Sequence, residues 1–265
     1  MKKIIVFITL CLVLVSCKNF NVTSSSYDKE KEINIIFTSL DDATTLKEDY
    51  NKVTPNVTVV GCGDIVNKKG YDYSAIGKNE FEKGVNSFYD YSKNNGNKFL
   101  ACNLSYSGKV KDIFKKVDPY VVIDYDGIKI GYIGVTSPNI KNILKEDSFT
   151  ENDSVVVNFY DEAPEVLYDT IKEAICNVKE QGAKYVVLLC FLGTSSSDSP
   201  YSAYDVISNI NNVDVVLDGN SNTLIKNEIV KDADNKDVNL CAFNSSFDGC
   251  CLIKIEKENI SIEFK

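Results

Sequence analysis

The sequence predicts an α/β layered fold, and three features carry that prediction. Short runs rich in β-branched residues recur along the 265 residues. Amphipathic helical patterns lie between them, and the two kinds alternate instead of segregating. Ile33–Thr38 and Val57–Gly61 read as buried strands. Glu80–Asn95 follows with a helical pattern. Tyr120–Ile123 and Ile128–Val135 read as paired strands joined at Tyr125-Asp126-Gly127, because Asp-Gly tolerates positive φ. Asp161–Gln181 is the strongest helical segment. Val166, Ile171, Ala174, Ile175 and Val178 give it an apolar stripe, and Gln181-Gly182 is a helix stop. Tyr185–Phe191 and Val213–Leu217 are strands with a helix, Ser202–Asn209, between them. Asn239–Phe243 and Cys250–Ile255 are expected to close the fold as a hairpin around Asp248-Gly249. No repeat or interdomain linker interrupts the chain after residue 32, so residues 33–265 are expected to form one domain.

Composition narrows the chemistry. Hydrophobic residues make up 44% and charged residues 25%, which suits a globular core. The net charge of −9 argues against a nucleic-acid partner, since phosphate contacts need Lys and Arg. Histidine is absent, which removes imidazole as general base, acid or metal ligand and excludes Ser-His-Asp and Cys-His catalysis. Of the nine cysteines none lies in a C-x-x-C pair. Cys62, Cys102, Cys190 and Cys251 sit in or beside apolar runs and read as small core hydrophobes. One or two disulfides are the alternative in an oxidising compartment.

The first residues form a separate unit. Met1-Lys2-Lys3 is followed by the apolar run Ile4–Val15, the length of a signal-peptide core and too short to span a bilayer. Leu14-Val15-Ser16-Cys17 resembles the lipobox of bacterial lipoproteins. That resemblance implies a signal peptide over residues 1–16, acylation of Cys17, and a membrane partner reached through the lipid alone. It places the protein in the cell envelope, lipid-anchored on the extracytoplasmic side. Residues 17–32 read as a flexible tether, being rich in Ser, Lys and Glu without apolar period. Removal of Lys2 and Lys3 with the signal would take the charge from −9 to −11.

A set of short segments, most of them at strand ends, resembles one enzyme family. They are INIIFTSLDDATTL (33–46), GCGD (61–64), YDYSAIGKNEFEKG (71–84), FLACNL (99–104), PYVVIDYDGIKIGYIGVTSP (119–138), LLCFLG (188–193) and VDVVLDGNSNT (213–223). In order and context they are similar to the motifs of the 5′-nucleotidase branch of the calcineurin-like metallophosphoesterases, through the catalytic domain only. The resemblance implies a four-layer α/β/β/α sandwich and a two-metal site that activates water and holds phosphate. Carried over residue by residue, the first metal's aspartate falls on Leu40 and its histidines on Asp42 and Asn222. The bridging aspartate is Asp64. The second metal's asparagine falls on Lys78 and its histidines on Phe191 and Asn220. The catalytic His-Asp pair falls on Asn79 and Glu82.

The scaffold of the family is therefore kept and most of its ligands are not. A second site made of an ammonium, a phenyl ring and an amide would repel a dication. The first site would keep Asp42, Asp64 and Asn222, oxygen donors suited at most to weak Ca²⁺ or Mg²⁺ binding. The favoured expectation is no metal and no catalytic residue, with Lys78 pairing with Asp64 to replace the metal charge. The spacings from Asp42 to Asp64 and from Asp64 to Tyr71 are short for the family, so surface helices are expected to be missing there. The chain ends at Lys265, so the family's nucleoside-holding second domain is expected to be absent. The functional expectation is a pseudoenzyme that binds or displays, with a protein or small molecule as partner. A weakly active or single-metal phosphoester hydrolase, using Asp42 or Glu82 as base, is the alternative. Ser195–Asp205, with two tyrosines, reads as an exposed loop for such a partner.

Overall fold

The computed structural model describes residues 32–265 apart from 95–97, 108–113, 145, 152–153, 156, 161–162 and 257–258. The expected signal, Cys17 and nearly all of the tether lie outside the described residues. Two six-stranded sheets form the centre. The first is built from β1 (Ile33–Thr38), β2 (Val57–Cys62), β3 (Tyr73–Ala75), β4 (Lys98–Leu100), β15 (Cys250–Glu256) and β16 (Asn259–Phe264), ordered β16-β15-β1-β2-β3-β4. Between these stretches the chain adds the short strands β5 (Ser105–Tyr106), β8 (Thr150–Glu151), β9 (Ser154–Val155) and β10 (Val157–Asn158). The second large sheet contains β6 (Tyr120–Tyr125), β7 (Ile128–Thr136), β11 (Tyr185–Phe191), β12 (Val215–Asp218), β13 (Ile225–Lys231) and β14 (Asp237–Ala242), ordered β13-β14-β12-β11-β7-β6.

Helices cover the outer faces. They are α1 (Thr44–Asn51), α2 (Val85–Asn94), the short α3 (Ile140–Ile143), α4 (Pro164–Glu180) and α5 (Ala203–Asn209). One core, with Phe37, Val60, Tyr132, Val187 and Ile253, fills the space between the sheets. A second joins the first sheet to the α2 side through Phe81, Phe88 and Phe114. A third joins the second sheet to α4 and α5. This is the four-layer α/β/β/α sandwich. The strands β1, β2, β11 and β12 are buried along their whole length. That two-sided burial is why they read as continuous apolar runs instead of alternating ones. On α4, Leu167, Tyr168, Ile171, Ala174, Ile175 and Val178 are buried. Each large side chain among them contributes roughly 1.5–3 kcal/mol of transfer free energy.

Several expectations need correction. Asn239–Phe243 and Cys250–Ile255 do not form a hairpin. β14 pairs with β12 and β13, whereas β15 pairs with β1 and β16 in the other sheet. The Asp-Gly between them lies in a link that crosses from sheet to sheet, with the Phe247 ring packed on Phe243. A helix, α1, does occupy the stretch between Asp42 and Asp64. The helix expected from Glu80 begins at Val85, because residues 78–84 close as turns and Gly84 has φ +85°. Val166 is 37% exposed and lies outside the buried stripe of α4. The Asp126-Gly127 turn is as expected, with φ 54° and 98°.

Candidate functional site: a phosphoesterase-like centre rebuilt around lysines

The strand ends that carry the family-like motifs converge. β2 and β3 are parallel neighbours in one sheet, and β7, β11 and β12 are parallel neighbours in the other. Hydrogen bonds tie the two sets together at their carboxyl ends. Thr136 donates its hydroxyl to the Ile76 carbonyl at 2.8 Å, and the Cys62 thiol donates to the Leu217 carbonyl at 3.2 Å. Two glycines allow the close approach. A Cβ on Gly63 would lie 2.4 Å from the Phe191 ring, and one on Gly219 would lie 2.0 Å from the Cys62 carbonyl oxygen.

Asp64 sits at the centre, 5% exposed, with φ 56°, in the left-handed region that few side chains adopt. Glu80 holds it there. The fully buried Glu80 carboxylate accepts the N–H groups of Asp64 at 3.0 Å, Ile65 at 2.8 Å and Gly77 at 2.7 Å. Asp64 Oδ1 in turn accepts the Asn79 N–H at 2.8 Å. Burial raises the Asp64 carboxyl above the usual range, against the pull of the Asn79 N–H, Lys78 and Lys68. Burial and the Asp64 charge push Glu80 up to about 7.

Two ammonium groups face this carboxylate pair. Lys78, the expected partner, acts on Asp64 through its charge, but the pair is not joined by an ion pair among the described contacts within 4 Å. Lys68, which the sequence reading did not single out, is 8% exposed. Its Nζ donates to the Ser39 carbonyl, lies 3.9 Å from Asp41 Oδ1, and is drawn electrostatically to Asp64 and Glu80. Burial lowers its pKa from the usual lysine value. The sequence signal for Lys68 was slight, a lysine four residues after the bridging-type aspartate. Glu80 had a clearer one, being an acid next to the apolar Phe81 within the family-like segment.

The other expected residues divide. Phe191 is buried with its ring against Gly63. The Asn220 N–H donates to Asp218 Oδ1 at 2.9 Å, in a cluster where the fully buried Asp218 carboxylate also accepts the Leu192 and Gly193 N–H groups. Burial pushes Asp218 up to about 6. Asn222 and Glu82 are exposed. Asp42 is exposed too, and its Oδ1 accepts the Thr44 N–H at 2.9 Å at the start of α1; the Thr44 hydroxyl and then this N–H lower its pKa. Leu40 is half-buried, and its carbonyl accepts the Tyr71 hydroxyl.

This donor set does not fit the two metals of the resembling family. By the resemblance Lys78 and Phe191 fall at ligand positions of the second ion, and neither an ammonium nor a phenyl ring coordinates a cation. Asp42 is engaged with its own helix. Among the described residues no three His, Cys, Asp or Glu side chains gather as a metal site. The cysteines do not build one either. Cys62, Cys190, Cys241, Cys250 and Cys251 are buried free thiols, Cys102 is half-buried and Cys176 exposed. The Ser195–Asp205 loop is fixed more firmly than expected. Ser195–Asp198 and Ser202–Asp205 form capping boxes, and Tyr168 donates to the Pro200 carbonyl. Ser195–Ser197 are exposed while Tyr201 and Tyr204 are half-buried.

Comparison with known proteins agrees with the fold. No protein-family model matches the chain. It is 27% identical over 190 residues to the 2′,3′-cyclic-nucleotide 2′-phosphodiesterase/3′-nucleotidase of Haemophilus influenzae, covering 66% of this chain and 26% of that protein. It is 21% identical over 166 residues to a probable 5′-nucleotidase of Treponema pallidum, covering 62% and 25%. The chain therefore spans about a quarter of the length of these relatives. Among solved structures, the 5′-nucleotidase precursor of Thermus thermophilus superposes with a TM-score of 0.67 at 18% identity, covering 89% of this chain and 54% of that one. The calcineurin-like phosphoesterase YfkN of Bacillus subtilis superposes with 0.60 at 16% identity, covering 88% and 90%. The fold of this chain is that of the 5′-nucleotidases and calcineurin-like metallophosphoesterases.

Proposed function

We propose that this protein is an exported, lipid-anchored envelope protein whose phosphoesterase-like domain binds or displays without turning over phosphoesters. The observation that carries the reading is the charge arrangement around Asp64. Lys68 and Lys78 supply positive charge to the carboxylates that would otherwise face metal ions. Phe191 takes up the room of a ligand. The chemistry lost is the activation of water by a Lewis acid, and there is no histidine to stand in for it. Asp42, Asp64 and Asn222 remain vestiges of the first site, and Lys78, Asn79, Glu82, Phe191 and Asn220 of the rest.

Two measurements test the absence of turnover. EDTA should leave the melting temperature unchanged, and a clear fall would show a bound structural cation. Purified protein should give no turnover above blank on an aryl phosphate or on AMP with Mg²⁺, Mn²⁺, Zn²⁺ or Ca²⁺. Metal-dependent turnover that disappears in Asp64→Ala would replace this reading with that of an active hydrolase. For the anchor, cells fed labelled palmitate should incorporate label into the wild-type chain and not into Cys17→Ser. Equal labelling of the two would remove Cys17 as the lipid site.

A further inference from the structure

A cavity of about 240 Å³ opens on the flank of the sandwich, between α4 and the start of β6. None of its lining residues belongs to the centre around Asp64. Thr170, Glu173 and Asn177 present side chains from one face of α4, at the spacing of three and four residues that stacks them along a helix. Tyr120 and Tyr160 supply the aromatic walls, and Cys102 lies at the cavity as well. Among the described residues that line it, Glu173 carries the only charged side chain. The Cys102 thiol does not add a second charge, because burial pushes it up to about 12.

One ring is tied to its surroundings and the other sits on an unusual backbone. The Tyr120 hydroxyl accepts from Gln181 Nε2 at 3.3 Å. Tyr160 has φ 47°, a left-handed conformation that a bulky residue rarely adopts. Backbone strain of that kind gathers where a side chain must be aimed at a ligand. We propose that this cavity is a binding site for a small alkylammonium ion, with Glu173 as counter-ion and the rings of Tyr120 and Tyr160 against the cation. An ammonium is attracted by a carboxylate and by an aromatic ring at once, whereas an anion would be repelled by Glu173, the one charge among the described lining residues. The Asn177 and Thr170 side chains offer acceptors for the N–H groups of a primary amine. The volume is below the roughly 300–1,000 Å³ of drug-sized sites, so the ligand is small. The net charge of −9 draws cations toward the surface in general.

Calorimetric titration with choline and, separately, with putrescine tests the site. One of the two should bind saturably at 1:1 with a Kd of about 1 mM or below at low ionic strength. The uncharged choline isostere 3,3-dimethylbutan-1-ol should not bind. Glu173→Gln keeps helix propensity and should weaken binding about tenfold. Tyr160→Ala should weaken it as well, with the circular dichroism of both variants unchanged. The proposal is overturned by no saturable binding of either cation, by equal binding of the neutral isostere, or by binding indifferent to Glu173→Gln. If Tyr160→Ala fails to fold, the isostere and Glu173→Gln arms still decide.

Discussion

Glu80→Ala should destabilise the fold by roughly 3–5 kcal/mol, read as a lower denaturant midpoint with an unchanged slope. The size follows from what the carboxylate holds. It accepts three backbone N–H groups, those of Asp64, Ile65 and Gly77, from a fully buried position. An orphaned buried donor costs about 1–3 kcal/mol, and alanine offers no acceptor to any of the three. The loss also frees Asp64 from its left-handed backbone, since two of the three bonds fix the Asp64–Ile65 turn. Glu82→Ala, two residues away on an exposed side chain, is the matched control and should change stability by less than about 0.5 kcal/mol. A Glu80→Ala cost equal to that of the control would mean that the turn is held by something other than this carboxylate.

The contrast between Glu80 and Glu82 shows where sequence reading reached and where it stopped. Two-sided burial leaves a continuous apolar run, and that is why β1 and β11 were legible to the residue. The turn at Asp126-Gly127 and the stop at Gly182 were legible because each needs a positive φ that few residue types tolerate. Sheet membership was not legible. An apolar strand next to another looks the same whether the two pair or part, so β14 and β15 read as a hairpin although they belong to different sheets. The short strands β3 and β4 and the exposed edge β13 carry too little apolar period to register, whereas β16 does alternate, with Ile260, Ile262 and Phe264 on one face.

In the centre, the motifs marked the right segments, and Asp64, Lys78, Asn79 and Phe191 do come together. Lys68 was invisible because burial of a lysine is set by what surrounds it, here the Ser39 carbonyl and the carboxylates of Asp41, Asp64 and Glu80. Asp42 went the other way. A carboxylate two residues before the Thr44 N–H bonds to the nascent helix, and that local bond engages it at the start of α1. The burial of the carboxyls in this centre has a consequence for pH.

Stability should fall as pH rises from about 5 to about 7.5. Burial pushes the Glu80 carboxyl up to about 7 from an ordinary 4.5, and Asp218 up to about 6 from 3.8. The sign follows from proton counts. Between the unfolded and folded pKa the unfolded chain has already lost the proton that the native state keeps, so the native state binds more protons. Raising pH then favours unfolding, and the loss is complete once pH exceeds the folded value. Each pKa unit corresponds to about 1.4 kcal/mol, so the two groups together account for several kcal/mol across this window. Denaturant midpoints taken at half-unit intervals should therefore decline toward neutral pH. Glu80→Gln is neutral at every pH, so it should lower the midpoint at pH 5 yet flatten the slope between pH 5 and 7.5. Asp218→Asn should flatten its lower half. Exposed Asp42, with its pKa lowered by Thr44, acts in the opposite direction only at more acid pH. A midpoint that rises from pH 5 to 7.5, or a Glu80→Gln slope equal to wild type, would mean that Glu80 is already ionised when buried. Its charge would then be balanced by Lys68 and the three backbone amides.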